Sequence, residues 1–504
     1  MHVKTFMTAA LFAGLLTGTL PAQSPQPTSV ELSIDGSAAG TSFPHYWEQM
    51  FGSGRAILSL RDDYRRDLRT VKAATGFTYV RFHAIFHDEV GLYDEDAQGK
   101  PVYNFSYVDQ IYDGLLQNGV KPFVELSFMP KKLAAEPATQ HFFWYRQYIT
   151  PPKDYAKWDA MIEAFTRHLV ERYGIDEVRS WYFEVWNEPN IDFWAGDPKL
   201  GTYLKLYDHT ARAVKKVDSQ LRVGGPATAR VEWAPEFLDY CKKNNVPVDF
   251  LSTHIYSNDS SEDAFGTHEV IPQDKMDCRA AAKIHNQIKA SAYPDLPFIM
   301  SEFNATYNTD PAITDSSFMG PWLAGTISQC DGLVNIMSYW SFSDVFEEQG
   351  VVKTPFYGGY GLMAEDNIAK PALNAFAMLH KLGDTRLRSD ADSTLVTRRK
   401  DGAIVVAVWN YEAPTSGPLK NAQKNFTIKL THAGTHASIT RLDSAHGDVN
   451  PAFAAMGKPA FPTQKQITEL QKAAILPEAV KQRITNGELH VSVPAQGLVL
   501  VEIQ

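Results

Sequence analysis

Between residues 46 and 340, short apolar runs rich in β-branched and aromatic residues alternate with longer stretches whose apolar positions recur every three or four residues. The short runs read as strands buried on both faces, the longer ones as amphipathic helices. The expected strands are Tyr46–Phe51, Tyr79–Phe82, Pro122–Ser127, Ser180–Trp186, Arg222–Gly225, Phe250–Ile255, Pro297–Ser301 and Val334–Trp340. Helices such as Trp158–Tyr173, Leu200–Val217 and Ala280–Ala290 fall between them. Eight strands with intervening helices over roughly 330 residues predict an α/β fold, a (β/α)8 TIM barrel. An open doubly wound sheet is the alternative, but no Gly-rich phosphate fingerprint follows any of these strands.

Past residue 378 the pattern changes. Gly402–Trp409, Asn425–Leu430, His490–Ala495 and Gly497–Ile503 are strand-like without barrel-type helices between them. Residues 379–504 therefore predict an accessory β-sandwich-like domain with one helical insert near Thr463–Ala474, there chiefly to brace the barrel. Val30–Asp35 alternates like a half-exposed strand, so residues 23–36 are expected to be a linker and a strand joining that β domain, and residues 37–378 the barrel.

The first 22 residues read as a secretory signal: a short basic start at Met1–Lys4, an apolar stretch over Phe6–Leu20, and a cleavage site after Ala22. A periplasmic or secreted protein is expected, with no membrane span once the signal is removed. A formal net charge of −10, with no long Lys/Arg run, argues against a nucleic-acid or anionic-membrane partner. The three cysteines, Cys241, Cys278 and Cys330, are too few for a disulfide framework; at most one bridge can form, and all three are read as structural. Ten Trp, 22 Tyr and 28 Phe suit both a large core and a cleft that stacks sugar rings. A homo-oligomer is compatible with the sequence.

In a TIM barrel the working groups sit where strands end. The fourth strand ends in Trp186-Asn187-Glu188-Pro189-Asn190, and Pro189 stops the ladder. The second ends in Arg81-Phe82-His83, the sixth in His254-Ile255-Tyr256, and the seventh in Ser301-Glu302-Phe303-Asn304. After the eighth come Trp340 and then Phe346-Glu347-Glu348. Two carboxyls facing each other across a barrel mouth suit acid/base and nucleophilic work on a glycosidic bond. His83 and His87 form an H-x3-H pair, but His83 ends a strand, so the two do not share a face; no metal and no cofactor are expected.

Trp186–Asn190 with Ser301–Asn304 resembles the retaining (β/α)8 glycosidases of clan A. Trp47–Ala56, Tyr79–His83 and Tyr339–Glu348 narrow the resemblance to glycoside hydrolase family 39, specifically its β-xylosidases, from about residue 28 onward. That resemblance implies Glu188 as general acid/base and Glu302 as nucleophile, with the carboxyls about 5–5.5 Å apart. A raised pKa for Glu188 would come from an apolar pocket and from the other carboxylate. Asn187 would donate to the sugar 2-hydroxyl, Tyr256 would touch the nucleophile, and His83 and His254 would bind sugar hydroxyls.

Trp340 would form the stacking floor. Tyr307 and Trp194 either line the cleft mouth or pack ordinarily. Arg81 is expected to pair with Glu302 or with Glu184, in catalysis or as a structural ion pair. Glu347 and Glu348 would bind xylose hydroxyls and repel a uronate, since no Arg or Lys lies in the Trp340–Gly350 loop. Ala84 departs from the family pattern, which has glycine there.

The implied activity is exo-hydrolysis of β-1,4-xylosidic bonds in xylooligosaccharides. Other readings are an α-L-arabinoside, β-galactoside or α-L-iduronide substrate, or a non-catalytic carbohydrate-binding protein.

Overall fold

The computed structural model describes residues 27–414 and 423–504; the expected signal segment lies outside them. Eight parallel strands close into a barrel, in the order in which they occur along the chain. They are Met50–Ser53, Tyr79–Phe82, Lys121–Leu126, Tyr182–Val185, Arg222–Thr228, Phe250–Tyr256, Phe298–Asn304 and Ile336–Tyr339. The first strand closes the ring by pairing with the second at Met50–Tyr79 and with the eighth at Met50–Ser338.

All eight expected strands are present, with two informative differences at their ends. The first begins at Met50, not Tyr46. Tyr46 and Trp47 are fully buried, but below the strand: Tyr46 Oη donates to Ile327 O at 2.5 Å, and the Trp47 ring stacks on His45. Their apolar signal comes from packing with Phe43 and beside the helix Met319–Cys330. The fifth, sixth and seventh strands run past their apolar runs to Thr228, Tyr256 and Asn304. The sixth and seventh keep pairing across the polar residues after a register shift between Thr253 and His254, which sets His254 opposite Glu302 and Tyr256 opposite Asn304. Such an irregularity re-aims side chains beside active sites.

The remaining strands form two principal sheets. Thr28–Asp35 pairs in parallel with Gln423–Thr431, which pairs with Glu488–Pro494. A seven-stranded sheet faces this one, and Leu32, Val406, Phe426 and Val501 are among the residues packed between them. Thr41–Ser42 belongs to the seven-stranded sheet through Thr385–Leu387, so the chain leaves the β region later than residue 37. The barrel core continues into this sheet: Trp409, Leu442, Leu498 and Leu500 join the same apolar cluster as the barrel helices. Gly320, in the helix Met319–Cys330, permits that approach, since a Cβ there would sit 3.1 Å from Leu442. Cys278 and Cys330 form one disulfide, tying the helix Gln273–Ala290 to Met319–Cys330, and Cys241 is free and buried.

Candidate active site

The C-terminal strand ends enclose a cavity of about 320 Å³ whose lining includes His83, Asn187, Glu188, Glu302, Trp340 and Glu348. That size is at the small end for small-molecule sites. One carboxylate oxygen from Glu188, one from Glu302 and one ring nitrogen of His254 lie within 4.8 Å of one another.

The two carboxyls sit in different surroundings. Glu302 accepts from Arg81 Nη1 and from Tyr256 Oη, both at 2.6 Å. Among the described residues no Lys or Arg pairs with Glu188; it accepts a hydrogen bond from His254 Nδ1 at 3.0 Å. Burial pushes the Glu188 carboxyl up to about 7, opposed by the charges of His83, Arg81 and Arg230 and assisted by Glu125. The other carboxylate, Glu302, also expected to raise it, is not among these principal causes. Burial also holds His254 down at about 4, so its imidazole is neutral.

Arg81 is the hub of the network. It is fully buried and contacts both expected partners: Nε donates to Glu184 at 2.6 Å as well as Nη1 to Glu302. Nη2 adds Asn187 Oδ1 at 3.0 Å and Glu125 at 2.8 Å. Using Asn187 Oδ1 in this way fixes the amide, leaving its NH2 for the cavity. Glu125 was missed in the sequence. It is buried in the third strand, in register with Glu184 on the fourth, and accepts from His83 Nδ1 at 2.7 Å. Burial alone would raise its pKa, but His83 and Arg81 outweigh that and hold it low. The available signal was a lone acid within the apolar run Pro122–Leu126, on the strand beside Arg81.

Trp340 is 3% exposed and packs against His83, with ring centroids 4.8 Å apart. Its ring rests on the first strand at Gly52, where a Cβ would come within 2.0 Å of Trp340 Cε3. Ala84 has φ 72°, the left-handed region that favours glycine, and its N–H donates to Ser127 Oγ at 3.1 Å. It is buried below the cavity wall and does not line it.

Two expectations, at His254 and Glu347, need correction, and at Trp194 and Tyr307 the two alternatives divide. His254 does not face the cavity: it is fully buried, bridging Glu188 and Ser301 Oγ, so its reach is to a carboxyl instead of a sugar. Trp194 is also fully buried, packed on Trp186 with Nε1 donating to Thr202, whereas Tyr307 is half exposed and lines the cavity. Glu347 turns away from Glu348: it pairs with Arg61 at 2.6 Å and Arg55 at 3.2 Å, two cations brought from another part of the chain. Only Glu348 enters the cavity, 3.9 Å from His83, where burial raises its pKa to about 8. An arginine from outside the Trp340–Gly350 loop also lines the cavity. Arg230 reaches it from beyond the fifth strand and pairs with Asp263 at 3.1 Å.

Metal binding at the carboxyl pair is disfavoured because Arg81 already supplies a cation to Glu302. His83 and His87 engage different partners, Glu125 and Tyr145 O, and do not converge.

The sequence model for Glycosyl hydrolases family 39 matches residues 30–488. The chain belongs to glycosyl hydrolase family 39. It is 37% identical to a beta-xylosidase of Geobacillus stearothermophilus over 92% of this chain and 93% of that one. It is likewise 37% identical to a beta-xylosidase of Caldicellulosiruptor saccharolyticus, over 88% and 90% of the two chains. Among solved structures, a monomeric beta-xylosidase from Caulobacter crescentus superposes with a TM-score of 0.84 at 33% identity, covering 95% of this chain and 99% of that one. This family 39 chain is a glycoside hydrolase.

Proposed function

We propose that this glycosidase hydrolyses β-1,4-xylosidic bonds from the non-reducing end of xylooligosaccharides by double displacement, with Glu302 as nucleophile and Glu188 as acid/base. The observation that carries the reading is the close carboxyl pair in unlike surroundings: Glu302 held by Arg81 and Tyr256, Glu188 pushed up to about 7 by burial. A separation near 5 Å suits direct attack by a carboxylate; an intervening water needs a wider gap.

In the first step Glu188 protonates the leaving glycosidic oxygen while a Glu302 oxygen bonds to the anomeric carbon. In the second, Glu188 takes a proton from water, whose oxygen displaces Glu302. His254 supports both steps as the Nδ1–H tautomer. That hydrogen donates to Glu188 Oε1, Nε2 accepts from Ser301 Oγ, and Oε2 is left to carry the proton. Asn187 donates to the sugar 2-hydroxyl through the NH2 that Arg81 leaves free. Trp340 provides the stacking floor, and His83 and Glu348 bind sugar hydroxyls.

Glu348 carries the choice of a neutral sugar. A carboxyl that burial keeps protonated beside His83 can donate and accept hydrogen bonds to hydroxyls, but it carries no positive charge to attract a uronate in the same place. Arg230, paired with Asp263, is the feature that keeps an iduronide in the comparison. The disulfide supports an exported protein. Among the described residues no helix is long and apolar enough to cross a membrane. The likeness to a monomeric relative supports a single-chain enzyme.

Aryl β-xyloside, α-arabinoside, β-galactoside and α-L-iduronide should be compared side by side, with the xyloside turned over best. Best turnover on the iduronide would overturn the sugar assignment. No turnover on any would support a binding protein. Glu302→Ala should abolish activity and regain part of it with azide, giving inverted product. Glu188→Ala should slow substrates with poor leaving groups most.

A further inference from the structure

At the opposite end of the barrel, three side chains that the reaction does not use converge on one point. Glu48, just before the first strand, is buried, and its carboxylate is contacted by two imidazoles. His45 Nδ1 lies 2.5 Å from Oε1; His380 Nδ1 lies 2.9 Å from Oε1 and 3.0 Å from Oε2. His380 caps the helix Pro371–Leu379, where the chain leaves the barrel for the β domain. One ligand atom from each residue lies within 4.8 Å of the others, and no Lys or Arg pairs with Glu48 among the described residues.

The hydrogen bonding of His45 makes this more than proximity. Its Nε2 lies 3.1 Å from Leu382 O, an acceptor, so Nε2 carries the hydrogen. A neutral imidazole with Nε2–H presents a lone pair at Nδ1. Here that lone pair would face a carboxylate oxygen, which is also an acceptor, so something positive belongs between them: a second proton or a metal cation. Donating the far ring N–H to a backbone carbonyl is how metal-bound histidines are usually oriented. Stacking on Trp47, with centroids 4.5 Å apart, further fixes the His45 ring.

We propose that His45, Glu48 and His380 bind a divalent transition cation of the Zn²⁺ class, which staples the segment entering the barrel to the helix that leaves it. Two imidazoles and one carboxylate form a common zinc donor set. Tetrahedral bonds of about 2.0–2.1 Å hold ligand atoms about 3.3 Å apart, so the two imidazole–carboxylate contacts each open by less than about 1 Å, and the two imidazole nitrogens, within 4.8 Å of each other, come to the same spacing. His380 is 46% exposed, which gives the ion a route in and leaves a position for water.

The test uses the whole protein, stripped with chelator and titrated with Zn²⁺ or Co²⁺ alone. At about 100-fold excess over Kd, Zn²⁺ should raise Tm by about 2–3 °C, and Co²⁺ should give the visible bands of a tetrahedral site. His380→Asn and Glu48→Gln should each abolish both signals. His380→Asn, at a half-exposed position, should keep the fold and the glycosidase activity. Bands or a Tm shift that survive in His380→Asn would place the ion elsewhere and overturn the proposal. Absence of Co²⁺ bands in the unmodified protein would overturn it in favour of a proton-bridged clamp.

Discussion

Two buried charge clusters in this enzyme are built from the same parts. Around Arg81, one cation meets Glu125, Glu184 and Glu302; behind the loop after the eighth strand, Lys370 meets Asp315 at 2.5 Å and Asp344 at 3.1 Å. Both cations are fully buried. The difference is where the network ends. Asp315 and Asp344 spend further acceptors on Gly358 N and Gly361 N, closing the cluster on backbone. The Arg81 cluster ends at a cavity, through Glu302 and Asn187. Burial of ionised groups alone is therefore no sign of function. The sign is a cluster with one member turned toward open space.

Breaking the hubs separates the two roles. Lys370→Met leaves two buried carboxyls uncompensated and should cost about 3–5 kcal/mol in chemical denaturation, with the folded fraction keeping near-normal turnover. Arg81→Met should cost a similar amount and also lower kcat/KM by at least about 10³-fold, because Glu302 loses its cation and Asn187 its fixed orientation. Equal activity losses in the two variants would erase the distinction.

The next largest effect depends on pH. Glu188 has a folded-state value of about 7 against an ordinary 4.5. Below 4.5 it is protonated in both states. Between 4.5 and about 7 the unfolded carboxyl ionises while the folded one resists, so stability falls as pH rises through that window, by up to about 3 kcal/mol. Glu188→Gln cannot ionise. It should be more stable than the parent at pH 8 by up to that amount, with the gap vanishing near pH 4 in unfolding titrations. In the parent, kcat/KM should fall as pH rises through about 7, as Glu188 loses the proton it donates.

A smaller contrast lies between neighbours. Glu348→Gln should raise KM for an aryl xyloside about tenfold, the loss of one good hydrogen bond to substrate. Glu347→Gln, turned away toward Arg55 and Arg61, should change KM by less than about threefold. The smallest expected effect is at Ala84. Replacing it by Gly relieves a left-handed alanine but frees the unfolded chain and removes a buried methyl, so stability should change by less than about 1 kcal/mol.

These contrasts also mark what was legible in the sequence. Strand periodicity revealed the barrel, because eight short apolar runs alternating with amphipathic helices, none followed by a Gly-rich phosphate fingerprint, left the open doubly wound sheet the weaker reading. Glu188 and Glu302 stood out because polar residues ended those runs abruptly. Glu125 did not, since one acid within an apolar strand resembles a lapse in pattern until its neighbour across the sheet is known. Glu347 and Glu348 are adjacent in sequence, so nothing local could tell that Arg55 and Arg61 would claim one of them. The burial of Trp194 against Trp186 and of His254 behind the cavity likewise depends on packing and on a register shift that no periodicity encodes.

The proposed double displacement turns on a covalent bond between Glu302 and the sugar. Incubation with an activated 2-deoxy-2-fluoro-β-xyloside, followed by proteolysis and mass spectrometry, should find the glycosyl mass on the peptide containing Glu302 and absent from the one containing Glu188. A label on Glu188, or turnover of an ordinary aryl xyloside to inverted product with no label on either, would contradict the account.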